Sequence, residues 1–153
     1  MTMLWSVWSK RALDNRLMVD LRPMAIRLIE VIVLIQATLR GIDYVLLPDA
    51  NPPIATLYVV ERALPLDAWG WGFIAWGFIT YVGMWWKQSP LSAVGHMGIA
   101  SIYGVFATGS LVEVITDGEL YGWRTGTSWV TASVIHIVFA LEAERTWRTA
   151  RVT

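Results

Sequence analysis

Two histidines and one glutamate have the clearest potential for chemistry, because each interrupts an apolar stretch. Glu30, His96 and His136 each lie about six residues from one end of such a stretch. If the stretches are neighbouring antiparallel helices, the three side chains share one depth, roughly 9 Å from the helix ends. A carboxylate and two imidazoles at one level can form a proton relay, a pH-sensitive packing switch or an incomplete metal site. In the alternative interpretation, each histidine only hydrogen-bonds a neighbouring carbonyl or hydroxyl.

A second polar group lies in or near the ends of the apolar stretches. Gln36, Arg40 and Asp43 are predicted on one side of the first stretch, opposite its apolar side, and Glu113 lies near the end of another. Because charge that faces lipid is costly, these residues are expected to face other helices or water. Structural ion pairing is one interpretation, and the lining of a pore entrance is the other.

The composition limits the chemistry that this chain can perform. It has 153 residues, no cysteine and only two histidines, which excludes disulfides, thiolate sites and a complete zinc site from histidine alone. Lys+Arg and Asp+Glu are equal at 12 each, so the net charge indicates no nucleic-acid partner. Nucleophile-elbow, P-loop, zincin and dinucleotide-binding motifs are absent from the sequence. We therefore expect no enzymatic activity, no cofactor and no metal.

The stretch Leu66–Trp86 indicates what positions these residues. It consists mainly of aromatic, aliphatic and glycine residues, and as a helix it spans roughly 30 Å, the thickness of the hydrocarbon core of a bilayer. Trp69 and Trp71 lie near one end, and Trp85 and Trp86 lie at the other. Tryptophan prefers the two membrane interfaces. The stretch is therefore predicted to be a transmembrane helix.

Three further stretches complete the predicted fold. They are residues 24–47, 91–115 and 123–141, and tight turns join the last three spans. These lengths predict an all-α, integral membrane four-helix bundle over residues 24–141, with up-down-up-down order. Lysine and arginine concentrate beside the chain ends and the middle turn, which predicts that both termini are cytoplasmic. Residues 1–23 read as an interfacial amphipathic helix or a disordered tail, and residues 142–153 as a basic cytoplasmic tail.

Small residues on the second and third spans predict close helix packing. The second span carries Ala68, Gly72, Ala75 and Gly83, and the third carries Ala100 and Gly104. Small side chains allow two helices in a membrane to approach closely. We expect these faces to pack within the bundle or between copies of the chain in a homo-oligomer.

The segment ERALPLDAWGWGFIAWGF, followed by a short basic turn and HMGIASIYGVF, resembles small four-span membrane proteins of tailed phages of actinobacteria. Such proteins are often assigned to the lysis cassette as holins. The resemblance covers about residues 24–141 and rests on the hydropathy layout, the aromatic and glycine-rich second span and the charged tail. It implies a protein that oligomerises in the cytoplasmic membrane of a bacterial cell and opens a lesion for host cell lysis.

Two other functions fit the same sequence. The first is an accessory or superinfection-exclusion protein that forms no pore and binds another membrane protein through the same small-residue faces. The second is a small proton-coupled transporter in which Glu30, His96 and His136 form the proton path. In all three interpretations the lipid bilayer is a partner.

Overall fold

The computed structural model describes residues 23–46, 57–87, 89–117 and 123–151, and these residues form helices without strands. Five helices are present in these ranges: α1 (Pro23–Leu46), α2 (Tyr58–Ala63), α3 (Leu66–Trp85), α4 (Ser89–Asp117) and α5 (Trp123–Ala150). The predicted all-α class is confirmed. The predicted interfacial helix within residues 1–23 lies outside the described residues except for its last position.

Two of the described helices are long and apolar enough to cross a membrane, within Ser89–Thr116 of α4 and Arg124–Ala150 of α5. The other two predicted spans also correspond to long helices, α1 and α3, but their compositions differ. Several charged residues interrupt α1. The α3 helix is rich in tryptophan and glycine, whose hydropathy is lower than that of aliphatic residues. The structure therefore supports a helical protein with two candidate spans.

The chain divides into two compact units, Met1–Val31 and Ile32–Thr153. Of the first unit, the structure describes the beginning of α1, where Met24, Leu28 and Ile29 are exposed and Glu30 is buried. The second unit contains the rest of α1 and all of α2 to α5. The following contacts all lie within this second unit.

Small residues set the spacing between α3 and α4. A Cβ atom on Gly83 would overlap the backbone of Ser92, and one on Gly95 would overlap Thr80. The two contacts run in opposite directions along the two sequences, so the helices are antiparallel. Lys87 lies in the connection between them and has a positive φ of 54°, which is uncommon for a residue other than glycine.

Aromatic rings fill the core where the remaining helices meet. The Tyr44 ring of α1 stacks on Phe106 of α4 at 5.5 Å between centroids. Phe73 of α3 meets Tyr103 edge-on at 4.8 Å, and Trp129 of α5 meets Phe106 edge-on at 5.2 Å. Edge-to-face and offset-stacked pairs each contribute about 0.5–1.5 kcal/mol beyond the burial of their area. This aromatic core joins α1, α3, α4 and α5.

The α5 helix continues through most of the predicted C-terminal tail. The sequence assigned residues 142–153 to a tail after the last span, but α5 extends to Ala150. Arg148 donates to Glu144 one turn earlier, with 3.1 Å between Nε and Oε1, and the Arg151 guanidinium lies 3.8 Å from the centre of the Trp147 ring. Pairs spaced by four residues stabilise exposed helices, which explains why the helix does not end at the predicted boundary.

Candidate functional site

The two histidines of the chain are in direct contact. His96 of α4 and His136 of α5 approach with 2.8 Å between their Nδ1 atoms. Both side chains are fully enclosed, at 0% and 1% exposure. A hydrogen bond between two Nδ1 atoms requires one of them to donate and the other to accept. The interpretation in which the histidines bind only backbone or hydroxyl groups therefore does not describe this pair.

Aromatic side chains enclose the histidine pair on both sides. The Phe139 ring stacks on His96 with 5.4 Å between centroids, and the Tyr103 ring stacks on His136 at 5.8 Å. Ser133 lies one turn before His136 on α5, and its hydroxyl donates to the Ala100 carbonyl of α4 at 2.9 Å. These contacts fix the relative rotation of α4 and α5 at the level of the imidazoles.

The third predicted member of this cluster, Glu30, lies in the other unit of the chain. Its side chain is buried, at 9% exposure, so it does not face solvent or lipid as the neighbouring Leu28 and Ile29 do. Among the residues that the structure describes, no three His, Cys, Asp or Glu side chains are grouped so that they could hold a metal ion.

The predicted polar side of α1 requires a correction. Gln36 and Asp43 are exposed beside Ile32 and Leu39, which are exposed as well, so they do not lie opposite the outward apolar side of α1. Each of the two polar residues follows one of these apolar residues by four positions, which is a rotation of only about 40° around a helix. The buried side of this part of α1 is instead apolar and consists of Leu34, Ala37, Gly41 and Tyr44.

The other charged residues of the predicted polar group lie closer to the core. Arg40 is half-buried. Its guanidinium carbon also lies 5.9 Å from the centre of the Tyr103 ring, a separation at which a cation and an aromatic face attract. Glu113 of α4 is half-buried. Arg40 thus packs on the aromatic core, while Gln36 and Asp43 remain on the surface.

The predicted packing residues separate into two groups. Gly83 and Ala100 are buried, and Ala68, Gly72 and Gly104 are half-buried. Ala75, in contrast, is exposed, so it does not pack against another helix of the same copy, and its packing between copies stays a prediction. The buried side of α3 consists of Leu66, Gly70, Phe73, Gly77, Thr80 and Gly83. The reason is that positions spaced alternately by four and three residues stay on one side of a helix, and Ala75 does not belong to that series.

Sequence reasoning missed a close contact between α1 and α3. A Cβ atom on Gly70 would lie 2.6 Å from the Gly41 carbonyl oxygen, and one on Gly41 would lie 2.8 Å from the Gly70 carbonyl oxygen. A Cβ atom on Gly77 would lie 2.8 Å from Thr38 Oγ1. These contacts bring α1 against α3. The signal was present in the sequence, because Gly70 and Gly77 are seven residues apart and share a side with Phe73.

A cleft of mixed polarity lies between α1 and α5. It has a volume of about 310 Å³. Its lining residues are Val33 and Gln36 from α1, and Thr127, Ser128, Thr131, Ala132, Ile135 and His136 from α5. The cleft runs along α5 from Thr127 to the level of His136. Polar and apolar side chains of α1 and α5 therefore meet in one place.

The chain matches no protein-family model, no curated protein and no solved structure at significant similarity.

Proposed function

We propose that the chain is an integral membrane protein that assembles with further copies of itself in the cytoplasmic membrane of a bacterial cell and permeabilises it, as holins do. The observation that carries this proposal is the exposure of Gln36 and Asp43 on α1. Both side chains lie beside exposed isoleucine and leucine residues that suit contact with lipid. In a single copy in a bilayer, the Asp43 carboxylate would lie beside lipid, while the Gln36 amide lies in the wall of the α1–α5 cleft.

The free energy of that arrangement favours assembly. An ionised carboxylate is unfavourable by up to about 3 kcal/mol at the centre of a membrane helix on insertion scales, and by less in the last turn of α1, where Asp43 lies. Polar groups in membranes therefore face other helices or water-filled spaces. If several copies place their α1 helices around a common centre, Gln36 and Asp43 gain contact with water or with one another. Such an arrangement lines an opening with the polar edge of α1.

The remaining surface supports immersion in lipid. Large apolar side chains are exposed on every long helix, including Leu39 on α1, Phe78 on α3, Ile115 on α4 and Val138 on α5. A soluble monomer rarely exposes apolar area on this scale. Trp85, at 74% exposure, and Trp86 lie at the end of α3, where indoles suit the membrane interface.

Membrane potential after induced expression in an actinobacterial host tests the proposal. We expect the wild type to depolarise the membrane, and the double variant Gln36→Leu/Asp43→Leu to insert equally well without depolarising it. Arg40 is left unchanged because it packs on the aromatic core. Thr108→Val, which alters an exposed polar residue on α4, is the matched control and should depolarise like the wild type. A wild type that never depolarises the cell would exclude a holin and favour the accessory or superinfection-exclusion protein.

The histidine pair favours proton-coupled transport as a second candidate function. Two imidazoles joined through Nδ1 can pass a proton from one ring to the other, and the α1–α5 cleft extends to His136. Proton flux into liposomes that contain the purified protein tests this function. Loss of flux in His96→Gln and His136→Gln, with flux retained in Asp43→Leu, which lies outside the cleft lining, would favour transport over a lesion lined by α1.

A further inference from the structure

The cleft between α1 and α5 combines hydroxyl groups with apolar side chains. Three hydroxyl groups lie in its wall, on Thr127, Ser128 and Thr131, and Gln36 faces them from α1. The apolar parts of the lining are Val33, Ala132 and Ile135. The proposed permeabilising assembly does not require this cleft, because Gln36 is the only residue that belongs both to the cleft lining and to the polar edge of α1.

The hydrogen bonds within α5 determine what the hydroxyl groups can offer a ligand. Thr127 Oγ1 and Ser128 Oγ both donate to the Arg124 carbonyl, at 2.9 and 3.1 Å. Thr131 Oγ1 donates to the Thr127 carbonyl at 2.9 Å. Each hydroxyl has a single hydrogen, so these three oxygens retain only lone pairs for the cleft. The Gln36 side chain lies in the same wall and carries an acceptor oxygen as well as an NH2 group.

We propose that this cleft binds a small amphiphilic molecule with a primary ammonium head group. An ammonium group has three N–H donors and no acceptor, which complements a wall that offers lone pairs. Hydrogen bonds from a charged donor are about twice as strong as those between neutral groups. The volume of about 310 Å³ exceeds what a bare ion fills and suits a short alkyl chain, which would contact the three apolar lining residues.

At the position of the cleft along α5, the primary ammonium group can belong to either of two kinds of molecule. Thr127 lies three residues after Arg124, where the candidate span begins, which is roughly 4.5 Å along the helix axis. The mouth of the cleft is therefore close to the depth of lipid head groups. A free alkylamine and the ethanolamine head of a phospholipid both present a primary ammonium group at this depth.

Equilibrium binding of radiolabelled n-butylammonium to the full-length purified protein in detergent tests the proposal. The control probe is butyltrimethylammonium, which has the same charge and chain but no N–H donor. We expect n-butylammonium to bind at least tenfold more tightly than the control probe. Equal binding of the two probes, or no saturable binding of n-butylammonium, would overturn the proposal.

A pair of matched variants locates the site. Thr131→Val keeps the shape of the side chain and removes one acceptor from the cleft, and it should weaken n-butylammonium binding by roughly five- to tenfold. Thr108→Val removes an exposed hydroxyl on α4 that donates to the Gly104 carbonyl at 2.8 Å, and binding should not change. An equal effect of the two variants would contradict the assignment to this cleft.

Measuring n-butylammonium binding in lipid nanodiscs distinguishes a phospholipid head group from a free amine as the natural ligand. If the natural ligand is a lipid head group, phosphatidylethanolamine nanodiscs should reduce n-butylammonium binding relative to phosphatidylcholine nanodiscs. If it is a free amine, the two lipids should give the same affinity. Because these measurements use purified protein and require no ion flux, they remain informative if the chain does not permeabilise membranes.

Discussion

At the scale of single residues, the two buried imidazoles form a pair whose members depend on each other. Removing either ring leaves the other with an Nδ1 atom that is enclosed by aromatic side chains and has lost its partner. An unsatisfied buried polar group is unfavourable by about 1–3 kcal/mol. The same contact is the feature that any proton transfer between α4 and α5 would use.

A double-mutant cycle on this pair tests the dependence. His96→Ala and His136→Ala should each lower the free energy of unfolding, while the double variant should lose less than the sum of the two losses, by about 0.5–3 kcal/mol. Unfolding of the detergent-solubilised protein by denaturing detergent is the measurement. Strict additivity would show that the two rings contribute independently, and Ser101→Ala, an exposed hydroxyl variant on α4, is the control.

Two serines between α4 and α5 offer a contrast at the same scale. Ser110 Oγ is buried without a hydrogen-bond partner in the described part of the chain, whereas Ser133 Oγ donates to the Ala100 carbonyl at 2.9 Å. Ser110→Ala should therefore raise the free energy of unfolding by about 1 kcal/mol, and Ser133→Ala should lower it by a similar amount. The same unfolding titration checks both, and a loss of stability in Ser110→Ala would indicate that its hydroxyl has a partner.

At the scale of elements, glycines determine how closely the helices approach. The α1 and α3 backbones meet at Gly41 and Gly70, where the carbonyl oxygen of each glycine occupies the space of a side chain on the other. Such approaches add dispersion contacts between backbones, which is how helices associate in membranes. The contact at Gly83 and Ser92 has the same role between α3 and α4.

Two glycine-to-alanine variants separate the effect of close packing on stability from the effect of helix propensity. Gly70→Ala places a methyl group 2.6 Å from a backbone oxygen, and overpacking of this kind lowers stability by about 1–3 kcal/mol. Gly104→Ala places its methyl group 3.9 Å from the nearest atom, Ser133 Oγ, and should be neutral or stabilising by up to about 1 kcal/mol. Thermal unfolding of both variants is the measurement, and equal effects would contradict the close contact of α1 with α3.

At the scale of the whole molecule, the apolar exterior and the distribution of lysine and arginine predict an orientation in the membrane. The chain has no cysteine, so single introduced cysteines report their side of the membrane without background. Thr116→Cys, at the end of α4, should react with a membrane-impermeant thiol reagent in intact cells, and Thr153→Cys should be protected. Reaction at residue 153 in intact cells would reverse the predicted orientation.

The sequence by itself determined the long helices and the all-α class. Apolar length and proline at helix boundaries suffice for these features, because they depend on residues that are close in the chain. Similar distances from the span ends also indicated that His96 and His136 share one depth. The sequence further indicated that small residues bring helices together, although it identified only part of the glycine set.

Only the tertiary structure decided how the helices are rotated against each other. Helical periodicity fixes the angle between two residues of one helix, but it does not say which side meets a neighbour. For this reason Gln36 and Asp43 were predicted opposite the apolar side of α1, whereas they are exposed next to it, and the contact of Gly41 with Gly70 was missed. The Nδ1–Nδ1 bond between His96 and His136 likewise depends on the rotation of α4 and α5, which packing across the core determines.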